Sequence, residues 1–357
     1  MFSIHGQPLF GLHTRFSDHN AVDSLFRLID EGLIPMGINA LILEFNPGYS
    51  YRCFPEYSNG TVIYEDCVRI RDYCRMREIE VIPLFQCLSH QSDNMAGAIP
   101  WNLLKEHPEF DETPEIPATA GWPEFYLHSW CASNDDIYQY VFPMMDELID
   151  AFDAQYLHIG MDEVFEIAQC SRCRGKDPAA LFARTVKIVY DHLKQKSVRP
   201  LMWGDRLLNA EALGYQMWEA DKFGMYPAFD RVDEVARDIV ITDWHYDLHD
   251  HGYPSVPQFM KAGFDVVPSF GCDTDQALHF AKFAMEDVYM GRKYHWPGRM
   301  SGFLFTQWAP LTPEGVDELL DGLHTGNRSV EEFSFQNVGC TIKAVSERYR
   351  EMLRRLV

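Results

Sequence analysis

Short, nearly continuous apolar runs recur along the chain, and between them apolar residues return every three or four positions. The first pattern belongs to parallel strands covered on both faces, the second to helices with one buried side. Read in order, the runs predict strands from Pro8 to His13, Asn39 to Phe45, Val81 to Gln86, Tyr156 to Gly160, Arg199 to Trp203, Ile239 to Trp244, Phe264 to Ser269 and Gly302 to Trp308. Helices are expected from a Ser17 or Asp18 cap to Gly32, and from Tyr64 to about Arg77. Another begins at an Asn134 or Asp135 cap, with Ile137, Val141, Met144, Met145, Leu148, Ile149 and Phe152 on one side. Asp177-Pro178 starts the next, which runs to about Lys196. Further helices are expected from Val256 to Ala262, from Asp275 to about Met290, and from Thr341 to Leu356. The last directs Ile342, Val345, Tyr349, Met352, Leu353 and Leu356 inward.

Strands alternating with helices eight times over make this an α/β chain of the (β/α)₈ TIM-barrel type. The whole of residues 1–357 is expected to be a single catalytic domain with long βα loops, the helix at about 341–356 packing on it. An open doubly wound sheet suits the sequence less well. No glycine-rich phosphate loop follows the first strand, and the strand-to-helix connections carry aromatic and polar residues instead. The longest irregular stretch, roughly Ser89 to Ser133, is of a length usually kept for function.

A barrel gathers the C-terminal ends of its strands on one rim. That rim would hold Glu44, Asn46, Gln86, His90, Asp162, Glu163, Trp203, Asp205, Asp243, Trp244, Tyr246, Thr306 and Trp308. Carboxylates inside an aromatic box suit a neutral, hydroxyl-rich ligand: ring faces pack on the C–H faces of a sugar while carboxylates and amides bind its hydroxyls. The set has no lysine for a Schiff base and no phosphate cradle. Glycoside chemistry fits it.

Two of these carboxylates, Asp162 and Glu163, are neighbours in the chain. Adjacent carboxylates push their pKa values apart, so one stays protonated while the other is charged; spacing alone leaves open which. Sequence neighbours are poorly placed to work on opposite faces of a glycosidic bond about 5–5.5 Å apart, as a retaining pair does. Substrate-assisted catalysis removes that requirement, because a 2-acetamido group on the sugar is then the nucleophile.

The stretch His158-Ile159-Gly160-Met161-Asp162-Glu163-Val164 resembles the His-x-Gly-x-Asp-Glu signature of glycoside hydrolase family 20, the β-N-acetylhexosaminidases. Ile79 to His90, Cys131-Ala132-Ser133-Asn134, Leu201 to Asp205 and Thr306-Gln307-Trp308 resemble further segments of its intracellular hexosaminidase D-like branch. The resemblance implies a retaining exo-glycosidase that removes terminal β-N-acetylhexosamine through an oxazolinium intermediate, without a cofactor. It makes Glu163 the general acid/base and Asp162 the group that holds the acetamido nitrogen. Trp203, Trp218 and Trp308 would wall the acetamido pocket, with Trp244 as a further candidate, and Tyr246 would bind the acetamido oxygen. His90 and His158 would belong to the supporting polar network, and Glu44 to substrate binding. The chain departs from the family where Phe10 stands in place of a hydroxyl-gripping arginine before Gly11. It departs again at Pro310, where a polar residue is common, and after Glu44, where Phe45-Asn46-Pro47 replaces an acidic residue. Two alternatives stay open: a retaining glycosidase of other specificity that pairs Glu163 with Glu44 or Asp243, and an inactive sugar-binding barrel.

Charge and cysteine content narrow the partners. A formal net charge of −22 repels nucleic acid and anionic membrane surfaces. No apolar run approaches the ~20 residues of a membrane span, and no secretory signal pattern opens the sequence. Nine cysteines in largely apolar surroundings read as reduced thiols, hence a cytoplasmic protein. Cys170-Ser171-Arg172-Cys173 has zinc-ligand spacing but lacks a second half in sequence, unless Cys131 or another distant residue completes it. It is therefore read as a thiol pair, with no metal assigned. Exposed aromatics in the long loops suit a homodimer contact as well as a carbohydrate or glycoconjugate substrate.

Overall fold

In the computed structural model the described residues are all but 1, 46, 58–59, 94–98, 123 and 357, with the side chains of 93, 102 and 356 also excepted. Asn46 and the Leu356 side chain therefore lie outside the described residues. Eight parallel strands close into a barrel: β1 Leu9–Arg15, β2 Ala40–Glu44, β3 Glu80–Cys87, β4 Tyr156–Gly160, β5 Arg199–Trp203, β6 Val240–Trp244, β7 Asp265–Phe270 and β8 Gly302–Pro310. Consecutive strands are neighbours, and β1 closes the ring against β8 with Leu9 opposite Gly302. This is the (β/α)₈ barrel expected from the apolar pattern.

Alternation along each strand sorts the side chains into two cores. Leu9, Ala40, Ile42, Ile82, Leu84, Leu201, Val240, Val267 and Leu304 fill the barrel, joined by Phe2 and Ile4 of the N-terminal segment. Phe10, Leu12, Leu41, Leu43, Ile159, Met202, Ile241 and Phe303 face the other way, into the layer shared with the helices. Phe10 thus packs its ring on Phe303, 5.7 Å between centroids, and does not rise to the rim. Pro310, the last residue of β8, is exposed and lies in register with Arg15.

The main helices are α1 Val22–Leu28, α2 Tyr64–Arg75, α3 Tyr138–Phe152, α4 Pro178–Gln195, α5 Ser255–Ala262, α6 Thr274–Tyr294, α7 Pro313–Thr325 and α8 Phe335–Leu356, with short helical turns at Asn102–Glu106 and Ala210–Leu213 in the loops. Three differ from the sequence reading. The first continues past Gly32 through a π turn at Ile29–Leu33 and ends at Gly37, which takes the left-handed conformation with φ 78°. Gly32 serves packing instead, since a Cβ there would come within 2.7 Å of Leu323. Helix α7 was not anticipated, although Thr312 caps it, Pro313 begins it and Gly326 ends it. Helix α8 starts six residues earlier than expected (341 − 335 = 6).

Helix α8 packs on α6, α7 and β8. Ile342, Val345, Tyr349 and Leu353 are buried as expected, but Met352 is 51% exposed, because its position has rotated past the edge of the apolar stripe. No described helix is long and apolar enough to cross a membrane. Truncating Ile342 to alanine should therefore cost about 2–5 kcal/mol of folding stability. The same change at Met352 should stay within about 0.5 kcal/mol. Urea denaturation of the two variants measures the contrast.

Candidate active site

The site is built at the end of β4. The strand stops at Gly160, where φ is 66°, and left-handed backbone returns at Met161 (φ 74°) and Glu163 (φ 47°). Side chains rarely adopt such angles, so the surrounding contacts must impose them. A Cβ at position 160 would lie 1.9 Å from Gln86 Oε1, which leaves room for glycine only. Beneath the turn, His158 is fully buried and both its ring nitrogens are occupied. Nδ1 accepts from the Gly160 amide at 3.1 Å and Nε2 donates to Thr242 Oγ1 at 2.8 Å, while Thr242 passes its own proton to the Met202 carbonyl. Burial, and then the neighbouring His13, lower the His158 pKa to about 3, so it is a neutral structural support.

Asp162 and Glu163 leave this turn in different environments. The Asp162 side chain is 4% exposed and that of Glu163 is 15% exposed. Gln86 Nε2 donates to Asp162 Oδ1, Ser89 Oγ donates to the Asp162 carbonyl, and His90 Nε2 lies 3.2 Å from Asp162 Oδ2. The same His90 nitrogen is 3.3 Å from Glu163 Oε2, and the Tyr126 hydroxyl donates to that oxygen at 3.0 Å. Burial alone would push the Asp162 carboxyl up. The His90 charge and hydrogen bond, with Gln86, outweigh it and hold Asp162 below the ordinary carboxylate range. For His90 the balance is reciprocal: burial opposes the imidazolium, but Asp162 and then Glu163 keep it well above its usual pKa.

A third carboxylate closes the far side. Asp205 Oδ2 accepts the Glu163 amide at 2.9 Å and the buried Arg206 guanidinium at 2.6 Å. Burial raises Asp205 to about 6 despite Arg206, with Asp162 adding to the rise. Arg206 also donates to the carbonyls of Met217 and Trp218 and lies over the Phe165 ring. Trp218 thus contributes its carbonyl to hold Arg206. Its side chain is 38% exposed and makes no ring contact with Trp203 or Trp308 among the described residues.

Those two tryptophans do meet, with centroids 5.5 Å apart, and His13 packs on both at 5.6 Å and 4.6 Å. Glu44 Oε2 sits 3.3 Å from His13 Nε2, so Glu44 orients the ring that braces the tryptophans. Trp308 Nε1 donates to the Tyr246 hydroxyl at 2.7 Å, Tyr246 to Thr306 Oγ1 at 2.7 Å, and Thr306 to the Phe270 carbonyl at 2.9 Å. Trp244 lies 5.1 Å from the Tyr246 ring. The indole N–H groups of Trp203 and Trp244 are buried without a hydrogen-bond partner among the described residues.

The structure thus brings together Asp162, Glu163, His90 and Gln86 on one side, and Trp203, Trp308, Tyr246, Trp244 and Glu44 on the other. Sequence reading missed Tyr126, His13 and Arg206. Tyr126 lies in the irregular loop with no period to single it out, and His13 and Arg206 act on residues that were identified.

The chain matches the model of the glycosyl hydrolase family 20 catalytic domain over residues 45–278. It belongs to that family. The solved structure of a β-N-acetylhexosaminidase from Bacteroides fragilis superposes with a TM-score of 0.58 at 14% identity, over 93% of this chain and 66% of that one. A chitobiase from Flavobacterium johnsoniae gives 0.64 at 16% identity, over 98% and 51%. The β-N-acetylhexosaminidase of Streptomyces coelicolor gives 0.59 at 15%, over 95% and 64%. At these identities the likeness concerns the fold, and the chain spans about half to two thirds of the length of these three structures. Comparison with curated protein sequences returns no match.

Behind the site, Asp243 is bound into a separate buried network. Its Oδ2 accepts from Ser255 at 2.7 Å and its Oδ1 is 3.4 Å from His245 Nε2, while His245 Nδ1 and His249 Nε2 both reach Glu219 at 3.1 Å. Burial opposes the His245 charge, but Asp243 and Glu219 raise its pKa to about 9. Burial likewise opposes ionised Glu219, yet the two histidines bring it down to about 2. The folded chain therefore holds a proton on His245 that the unfolded chain releases near 6.5. Stability from this group is full below about 6.5 and is lost as pH rises through about 9, on the order of 3 kcal/mol. The Glu219 contribution is full above its ordinary pKa and is lost only toward pH 2. Denaturation at pH 6 and pH 9.5 should show the alkaline loss in the native protein and a flatter profile in His245→Gln.

Proposed function

We propose that the protein is a retaining exo-glycosidase that removes terminal β-N-acetylhexosamine with the substrate's own 2-acetamido group as nucleophile. Membership of glycosyl hydrolase family 20 supports the reaction class. The observation that carries the mechanism is the unequal pair at the end of β4: an enclosed Asp162 kept ionised by His90 and Gln86, beside a more open Glu163.

In this reading Asp162 accepts the acetamido N–H and steadies the positive charge that grows there. The acetamido oxygen attacks the anomeric carbon as the glycosidic C–O bond breaks, and Glu163 delivers its proton to the departing oxygen. Ring closure gives an oxazolinium. Glu163, now a carboxylate, takes a proton from water as that water opens the ring from the face the aglycone left. Two displacements retain the configuration. Tyr126 orients the Glu163 carboxyl, and the Trp203 and Trp308 rings, tilted 48° to each other, offer apolar faces to an acetamido methyl.

Pairing Glu163 with Asp243 is disfavoured, because both Asp243 oxygens are engaged by Ser255 and His245. Glu44 is committed to His13. With Phe10 turned into the helix layer, the sugar hydroxyls must be gripped by other rim residues. The unpartnered indole donors of Trp203 and Trp244 suit acceptor oxygens on the ligand. We take residues 1–357 as one catalytic unit working on a small carbohydrate or glycoconjugate, and all nine cysteines being free fits a reducing, cytoplasmic setting.

Release of p-nitrophenol from its β-N-acetylglucosaminide is the assay. Glu163→Gln should lower kcat by about 10²–10⁴, and Asp162→Asn by about 10²–10³. Turnover only of glycosides that lack the acetamido group would overturn the mechanism.

His90→Gln gives a second check through pH. Removing the imidazolium takes away what depresses Asp162, so Asp162 protonates at higher pH. The acid limb of kcat should accordingly move to higher pH, and an unmoved limb contradicts the role given to His90.

A further inference from the structure

Two loops flank the catalytic carboxylates, and four side chains from them meet in a closed cluster that the proposed reaction does not use. The loop after β3 contributes Glu112 and Cys131, and the loop after β4 contributes Cys170 and Cys173. Cys131 Sγ lies 3.4 Å from Cys170 Sγ and 3.5 Å from Cys173 Sγ. One donor atom from each of the four residues falls within 4.8 Å of every other. We propose that Glu112, Cys131, Cys170 and Cys173 form a structural zinc site that pins these loops together.

The distances favour a shared ion over a covalent link. A disulfide needs about 2.05 Å between sulfurs. Thiolates at about 2.3 Å from a tetrahedral zinc stand roughly 3.8 Å apart, close to what is observed. The Cys170-Ser171-Arg172-Cys173 segment is already folded as a ligand turn, with the Cys173 and Arg174 amides donating to the Cys170 carbonyl at 3.1 and 2.8 Å. Glu112 is aligned from the other side. Its Oε1 accepts the Gln169 and Cys170 amides at 2.6 and 3.2 Å, whereas its Oε2 is buried and has no hydrogen-bond partner among the described residues.

Three sulfurs and one carboxylate select a thiophilic, tetrahedral ion rather than calcium or magnesium. Four protein donors leave no open position, so the site is structural and not catalytic. Glu112, Cys131 and Cys173 are buried, and Cys170 is partly buried at the edge of the cluster. Three thiolates and a carboxylate on zinc leave an anionic centre. Lys176 Nζ donates to Ser133 Oγ at 2.9 Å, and Ser133 Oγ is 3.3 Å from Cys173 Sγ, so a cation is coupled to that centre. The clip joins the chain that carries Tyr126 to the chain that carries Glu163.

The test is metal analysis of the full chain purified without chelator, by inductively coupled plasma mass spectrometry. About one zinc per chain is expected, with a chromogenic chelator reporting its release when a mercurial titrates the thiols. Cobalt in place of zinc should give thiolate-to-metal charge-transfer absorption, and Cys173→Ser should lose both metals. If that variant fails to fold, stripping zinc from the native chain should lower its Tm, and adding zinc alone should restore it. A chain that purifies metal-free, binds neither zinc nor cobalt when they are added, or carries a Cys131–Cys170 disulfide by mass spectrometry overturns the proposal.

Discussion

Everything at the rim depends on holding one carboxylate ionised where burial opposes it. Asp162 is nearly enclosed, and an enclosed carboxylate left alone would take up a proton. The barrel prevents this with fixed partners: Gln86 from the end of β3, and His90 from the loop that follows. Both are placed by backbone rather than by chance encounter. Gly160 has no side chain so that Gln86 can reach across the strand end, and His158 beneath keeps that strand end in place through the Gly160 amide. The left-handed turns at Met161 and Glu163 are part of the same arrangement. They keep both consecutive carboxylates within reach of His90, whereas a regular strand would send them to opposite faces.

The barrel itself was legible because its strands are parallel and buried on both faces, and such strands have a pattern that few alternatives share. All eight were found within a few residues. Strand ends blurred where the period gives no information: β1 continues past His13 to Arg15 because it still pairs with β2 and β8 there. Helix α7 escaped although its Thr312-Pro313 start was plain. Its apolar residues Val316, Leu319, Leu320 and Leu323 recur at helical spacing and are buried.

The Asp162–Glu163 pair was legible for a different reason, since two carboxylates after a buried strand are rigidly aimed whatever their role. The division of labour proposed for them was not. It rests on exposure and on His90, and both arise from how the β3 loop folds back. That loop carries little periodic information, so Tyr126 and Glu112 stayed hidden, and Cys131 stood only as one candidate to complete the Cys170/Cys173 pair. Trp218 shows the converse. It is an aromatic residue near the rim in sequence, yet the structure uses its carbonyl, not its ring, to satisfy Arg206.

The same geometry constrains what the substrate must bring. His90 stands between Asp162 and Glu163, so the two carboxylates address one side of a ligand. Neither Glu44 nor Asp243 is free to face them from across the barrel, because His13 occupies one and Ser255 and His245 the other. Neither of these two carboxylates, then, is set to act as a nucleophile opposite the pair. In the reaction proposed above, a 2-acetamido group supplies one from within the ligand, and its nitrogen then carries the positive charge that an enclosed, ionised Asp162 is suited to offset. The cost of keeping Asp162 charged is in this sense preorganisation: the environment that would be unfavourable for the empty carboxylate is the one that favours the charged intermediate.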